Sequence, residues 1–102
     1  MIGLSAPALD LTALHGEIEN RLCELGHLEP RQFPMTRREL YRGQRPCGLY
    51  FCLHGPRSVK LTAILDFASR TVIFYGSDGT RREALTVNRR STLTKAEPKQ
   101  AA

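Results

Sequence analysis

The sequence predicts an α+β fold: an N-terminal amphipathic helix packed on one face of an antiparallel β-meander of four strands, or five if an ambiguous edge segment joins it. Two observations carry that prediction. Apolar residues recur with the 3.6-residue period of a helix near the start of the chain, and with the two-residue period of strands from Leu49 onward. The breakers Gly55-Pro56 and Asp78-Gly79 then fall at the intervals of hairpin connections. A length of 102 residues leaves room for one domain with one core. That domain is placed at residues 1 to 87, followed by a basic tail over 88 to 102.

The helix rests on Leu11, Leu14, Ile18, Leu22 and Leu25, whose spacings of 3, 4, 4 and 3 line one face. Asp10 is suited to cap its start, and Gly26 to end it in the left-handed conformation. An earlier start at Ser5, with Pro7 in the first turn, is the alternative. Residues 31 to 46, RQFPMTRRELYRGQRP, read two ways. Thr36 followed by Glu39 is a capping-box spacing, while Leu40-Tyr41-Arg42, Gly43-Gln44 and Pro46 read as the first arm of a hairpin. The hairpin is favoured, which makes this an edge strand. The clear strands are then LYFCLH, SVKLTAILD, TVIFY and REALTV. From Asn88 the chain is polar, basic and aperiodic, the pattern of a disordered tail.

Composition narrows the function classes. The N-terminus has no basic n-region, sustained apolar core or cleavage signature, and no apolar run approaches the roughly 18 residues of a membrane span, so a cytoplasmic location without membrane contact is expected. Three cysteines, an odd number, point to reduced thiols rather than a disulfide frame. Charge is polarised: residues 1 to 30 hold five acidic residues against Arg21, a net of −4, and residues 31 to 102 carry fourteen Lys or Arg against five acids, a net of +9. An acidic helix should therefore lie against a basic sheet.

Strand alternation assigns faces. Leu49, Phe51 and Leu53, with Val59, Leu61, Ala63 and Leu65, should face the helix; Tyr50, Cys52 and His54, with Lys60, Thr62, Ile64 and Asp66, should face away. One helix covers one side of a sheet, so the outer face, with Ile73 and Tyr75 added, is a candidate interaction face made of Tyr50, Cys52, His54, Ile64, Ile73 and Tyr75. A zinc site from Cys23, His27, Cys47, Cys52 and His54 is disfavoured, because C-x4-C places its two cysteines on opposite faces of a regular strand. A thiol enzyme built on Cys52 and His54 lacks a group to orient the histidine. No paired acids, phosphate-binding glycine loop or nucleophile elbow are present. No catalytic residue, metal or cofactor is therefore assigned.

The arginines offer more. Arg31, Arg37, Arg38, Arg42 and Arg45 lie within fifteen residues alongside Tyr41, and Arg81 and Arg82, with Arg89 and Arg90, extend the basic surface. Guanidinium groups grip phosphate bidentately, and aromatics on an open sheet stack unpaired bases. Arginines on edges and tails also simply deter aggregation. The expectation is a non-enzymatic protein that binds RNA or single-stranded nucleic acid; the alternative is a protein-interaction module or homodimer joined through the outer face.

A helix followed by antiparallel strands, with Gly55-Pro56 before a strand, resembles the double-stranded RNA-binding domain. That family closes with a lysine-rich helix, for which KAEPKQAA, with its internal proline, is a poor substitute. The stretches CGLYFCLHGPRSVKLTAI and VIFYGSDGTR more nearly resemble a group of small uncharacterised bacterial proteins, over roughly residues 33 to 82. That resemblance implies no activity, cofactor or site residue.

Overall fold

The computed structural model describes residues 9 to 88 and 91 to 95. One helix, α1 (Leu11–Gly26), precedes six strands: β1 (Met35–Arg42), β2 (Arg45–His54), β3 (Lys60–Asp66), β4 (Thr71–Tyr75), β5 (Arg81–Val87) and β6 (Leu93–Lys95). The strands form one antiparallel sheet in chain order, because every connection is short enough to return the chain beside the strand it has just left. The α+β arrangement of a helix on an antiparallel sheet is the one predicted, with two strands more than the clear four.

Asp10 caps α1 as expected, its Oδ1 accepting from the Ala13 N–H at 3.1 Å. The end of the helix differs from expectation. His27, not Gly26, takes the left-handed conformation, at φ 57°, and its N–H returns to the carbonyls of Cys23 and Glu24. Gly26 is the last helical residue, and its missing side chain makes room for β3: a Cβ there would stand 2.5 Å from Leu61 Cδ1. The glycine lets the helix end press onto β3. The alternative start at Ser5 and Pro7 lies outside the described residues.

The core lies between α1 and the sheet. Leu14, Ile18, Leu22 and Cys23 meet Leu49, Phe51, Leu53, Leu61, Ala63, Leu65, Val72 and Phe74, all of them buried. Every sheet residue in that set has the parity assigned to the helix side, and the register aligns them in rows: Leu53 opposite Leu61, Phe51 opposite Ala63 and Phe74, Leu49 opposite Leu65 and Val72. Leu11, expected on the core stripe, sits in the first turn and remains 38% exposed.

Residues 31 to 46 resolve as the hairpin reading favoured. β1 pairs with β2 along its length, and Gly43 makes the turn at φ 64°. Thr36 does not cap a helix; its Oγ1 lies 3.0 Å from His54 Nε2. At the other edge the chain departs from the disordered tail expected from residue 88. β6 pairs Leu93 with Val87 and Thr94 with Thr86, and Leu93 packs against the core. Ser91, 1% exposed, accepts from the Asp10 N–H at 2.8 Å. One apolar residue, with no periodicity around it, extends the sheet, because Asn88 N–H bonds to the Thr92 carbonyl at 2.9 Å and so turns the chain back beside the outer edge of β5. Residues 96 to 102 and Arg89 and Arg90 lie outside the described residues.

Candidate functional site

The side of the sheet away from α1 carries three rows of side chains, each defined by cross-strand pairing. The central row runs Arg38, Tyr50, Ile64, Ile73 and Ala84. The next runs Thr36, Cys52, Thr62 and Tyr75, ending opposite Arg81, with His54 opposite Lys60 beyond it. The third runs Leu40, Gly48, Asp66, Thr71 and Thr86. All six residues of the expected interaction face are therefore neighbours on one surface. No described element covers it.

Within this surface the Arg38 guanidinium lies over the Tyr50 ring, 5.3 Å from its centroid. At that distance the guanidinium is in cation–π range of the ring, and its N–H groups can still donate to an anion. Tyr50, Ile64 and Ile73 are half-buried by one another, and Cys52, only 6% exposed, is sunk between longer neighbours. Five cations, Arg38, Arg42, Arg45, Lys60 and Arg81, share this face with one carboxylate, Asp66. That carboxylate is already engaged: Ser69 Oγ donates to it at 2.7 Å and Ser69 N–H at 2.9 Å. These bonds, helped by the charge of Arg42, hold Asp66 below the usual carboxylate range.

The arginines grouped together in the sequence are divided by the fold. Arg37 pairs opposite Phe51 and so faces the helix side, where it borders Leu11, Thr12 and His15. Tyr41 also lies on that side, its hydroxyl donating to Glu39 at 2.5 Å, which raises the phenol pKa. Arg31 belongs to the turn after α1: its N–H donates to Glu19 at 3.1 Å, and its Nη1 lies 3.5 Å from Asn20 Oδ1. Arg38, Arg42, Arg45 and Arg81 remain on the outer side, with Arg82 the extra residue of a bulge between β4 and β5. Lys60 was on the outer parity set yet outside the arginine grouping, and joins the face through its pairing with His54.

A second bulge shapes the hairpin end. Leu40 is opposite Gly48 while Tyr41 is opposite Pro46, so Cys47 is the unpaired extra residue. This irregularity ends strict alternation at Cys47, whose position had been reasoned from a regular strand. It also returns Arg45 to the same side as Arg42, its partner across the turn. Cys47 lines a pocket there, remote from Cys52, and all three cysteines are free thiols. Among the described residues no group of three or more His, Cys, Asp or Glu could hold a metal ion, and no helix is long and apolar enough to cross a membrane.

On the helix side, a hollow of about 420 Å³ between α1, β5 and β6 is bridged by charge. Arg21 donates through Nε and Nη2 to the two oxygens of Glu83, at 2.5 and 2.6 Å, and through Nη1 to Glu24. The acidic helix thus meets its basic sheet through its only arginine, with Glu83 the sheet's contribution. No protein-family model, curated protein or solved structure matches the chain. The six-stranded order also departs from the double-stranded RNA-binding domain, whose helix is followed by three strands and a closing helix.

Proposed function

We propose that this protein is a non-enzymatic binder of single-stranded nucleic acid, and that the strand lies along the outer face of the sheet. The observation that carries this reading is Arg38 over the Tyr50 ring, midway along the β1 border of an uncovered surface, with Lys60 and Arg81 at one end and Arg42 and Arg45 at the other. An aromatic with a guanidinium over it is a stacking platform beside a phosphate ligand, and the isoleucine pair gives the bases an apolar floor. Duplex fits less well, since a sheet face that reads unstacked bases requires them to be splayed out.

Titration of labelled protein with an oligouridine decamer at 50 and 200 mM salt tests the reading. Amide shifts should concentrate in β2, β3 and β4 and weaken with salt. Replacing Arg38 and Lys60 together by Ala should lower the dependence of log affinity on log salt by about 1.4, since each phosphate neutralised on a single strand contributes about 0.7. Arg37→Ala, one residue away on the opposite side, is the matched control. Salt-independent or absent shifts on the outer strands would overturn the proposal.

The half-buried Ile64–Ile73 pair favours one other reading, a homodimer joined through the same face. Two copies face to face would bring five cations and one carboxylate against the same set, so nucleic acid is the better charge complement. Sedimentation decides between them: a dimer should persist in high salt and dissociate on Ile64→Lys.

A further inference from the structure

Toward the β1–β2 hairpin the outer face ends in a concave pocket of about 360 Å³ whose wall includes Arg42, Arg45, Pro46, Cys47, Asp66 and Phe67. Arg42 and Arg45 are direct partners across the last rung of the hairpin, an arrangement in which like charges repel. Neither guanidinium makes a hydrogen bond or contact ion pair among the described residues. The pocket thus holds two bidentate-capable cations, Arg42 partly offset by the charge of Asp66, on one side and apolar surface from Pro46, Cys47 and Phe67 on the other. Its one acid, Asp66, stays ionised with Oδ2 bonded to Ser69, so the two arginines and the carboxylate leave the pocket a net charge of +1.

The bulge at Cys47 produces this convergence. A regular strand would place Arg45 and Gly48, three residues apart, on opposite faces. With Cys47 inserted, Arg45 joins Arg42 on the side of Tyr50. Gly48 leaves a gap between Leu40 and Asp66 in its row, and a Cβ there would sit 2.2 Å from the Leu65 carbonyl oxygen. On β2 that gap falls between Tyr50 of the stacking row and the bulged segment that lines the pocket.

We infer that this pocket takes the terminal phosphate monoester of a nucleic-acid strand, an inference that rests on the strand lying on the outer face as proposed above. A monoester carries a charge of about −1.5 to −2 near pH 7, against −1 for an internal diester. Two guanidinium groups match the dianion with paired N–H donors. A concave pocket at the end of the face admits a chain terminus, whereas an internal phosphate would have to carry nucleotides onward through its wall. Phe67 and Pro46 provide apolar contact for the terminal nucleoside.

The test uses three internally labelled oligouridine decamers bearing a 5′-phosphate, a 3′-phosphate, or hydroxyls at both ends. One phosphorylated decamer should bind about tenfold more tightly than the hydroxyl-ended one; which of the two does so identifies the strand end. In the Arg42→Gln, Arg45→Gln variant, checked for an unchanged fold by its amide spectrum, the ratio should fall to one. Uridine monophosphate should separately shift the amides of residues 45, 47 and 66 to 68. Equal affinity for the three decamers, or a ratio that survives the double substitution, overturns the pocket assignment and leaves the sheet-face reading standing. Shifts with the mononucleotide but no binding of any decamer would instead retain the phosphate pocket and remove the sheet face; no response to either probe overturns both.

Discussion

Gly48 and Asp66 face each other across β2 and β3, and each is there for a local reason. Gly48 permits a close backbone approach, so Gly48→Ala should force β2 and β3 apart and cost about 2 kcal/mol, the scale of overpacking a fitted interior. Chemical denaturation of the two proteins measures it, and an unchanged midpoint would show that the strands can separate freely. Asp66 is pulled down by its Ser69 bonds and Asp78 by the N–H and hydroxyl of Thr80. For a carboxylate whose folded pKa lies below its unfolded value, the stabilisation is present above the unfolded pKa, ordinarily near 3.8, and is lost as pH falls through the folded one. Stability should accordingly decline below about pH 4, and Asp66→Asn should flatten that decline. Parallel acid limbs for the two proteins would contradict the assignment.

Elements are joined by a few directed contacts as well as by the core. Arg21 spans from α1 to Glu83 on β5 with two hydrogen bonds, and those bonds raise its guanidinium pKa further above the normal range. The pair is partly exposed, at 36% and 22% for the two side chains, so solvent screening limits its worth. A double-mutant cycle on Arg21→Ala and Glu83→Gln should return a coupling of about 1 kcal/mol that diminishes with salt. A coupling of zero would mean that apolar packing alone seats the helix. The edge strand β1 is exposed at six of its eight residues and charged at four, which discourages pairing with another chain while keeping Arg38 at the border of the outer face.

At the scale of the molecule, the sheet is complete only with β6. Ending the chain at Asn88 would remove the Leu93 contact and the Ser91 acceptor that holds the Asp10 N–H. That truncation should cost on the order of 2 kcal/mol, from one half-buried leucine and one hydrogen bond, read as a lower thermal midpoint; an unchanged midpoint would make β6 dispensable. By itself the sequence determined the helix over Leu11 to Leu25, the four clear strands and their two faces, because apolar periodicity and turn residues are local signals written into consecutive positions. It also placed Tyr50, Cys52, His54, Ile64, Ile73 and Tyr75 together, since alternation alone sorts a strand's side chains. Only the tertiary structure decided the rest. β6 exists because β5 presents an edge and the turn at Asn88 returns the chain to it, Gly26 is a packing glycine because β3 lies against it, and the arginines divide because Arg37 and Arg38 point to opposite sides of one strand. The convergence of Arg42 and Arg45 depends on the bulge at Cys47, a feature of how two strands pair rather than of either strand alone. Clustering in the sequence is a statement about distance along the chain, and a pleated strand turns the closest neighbours apart.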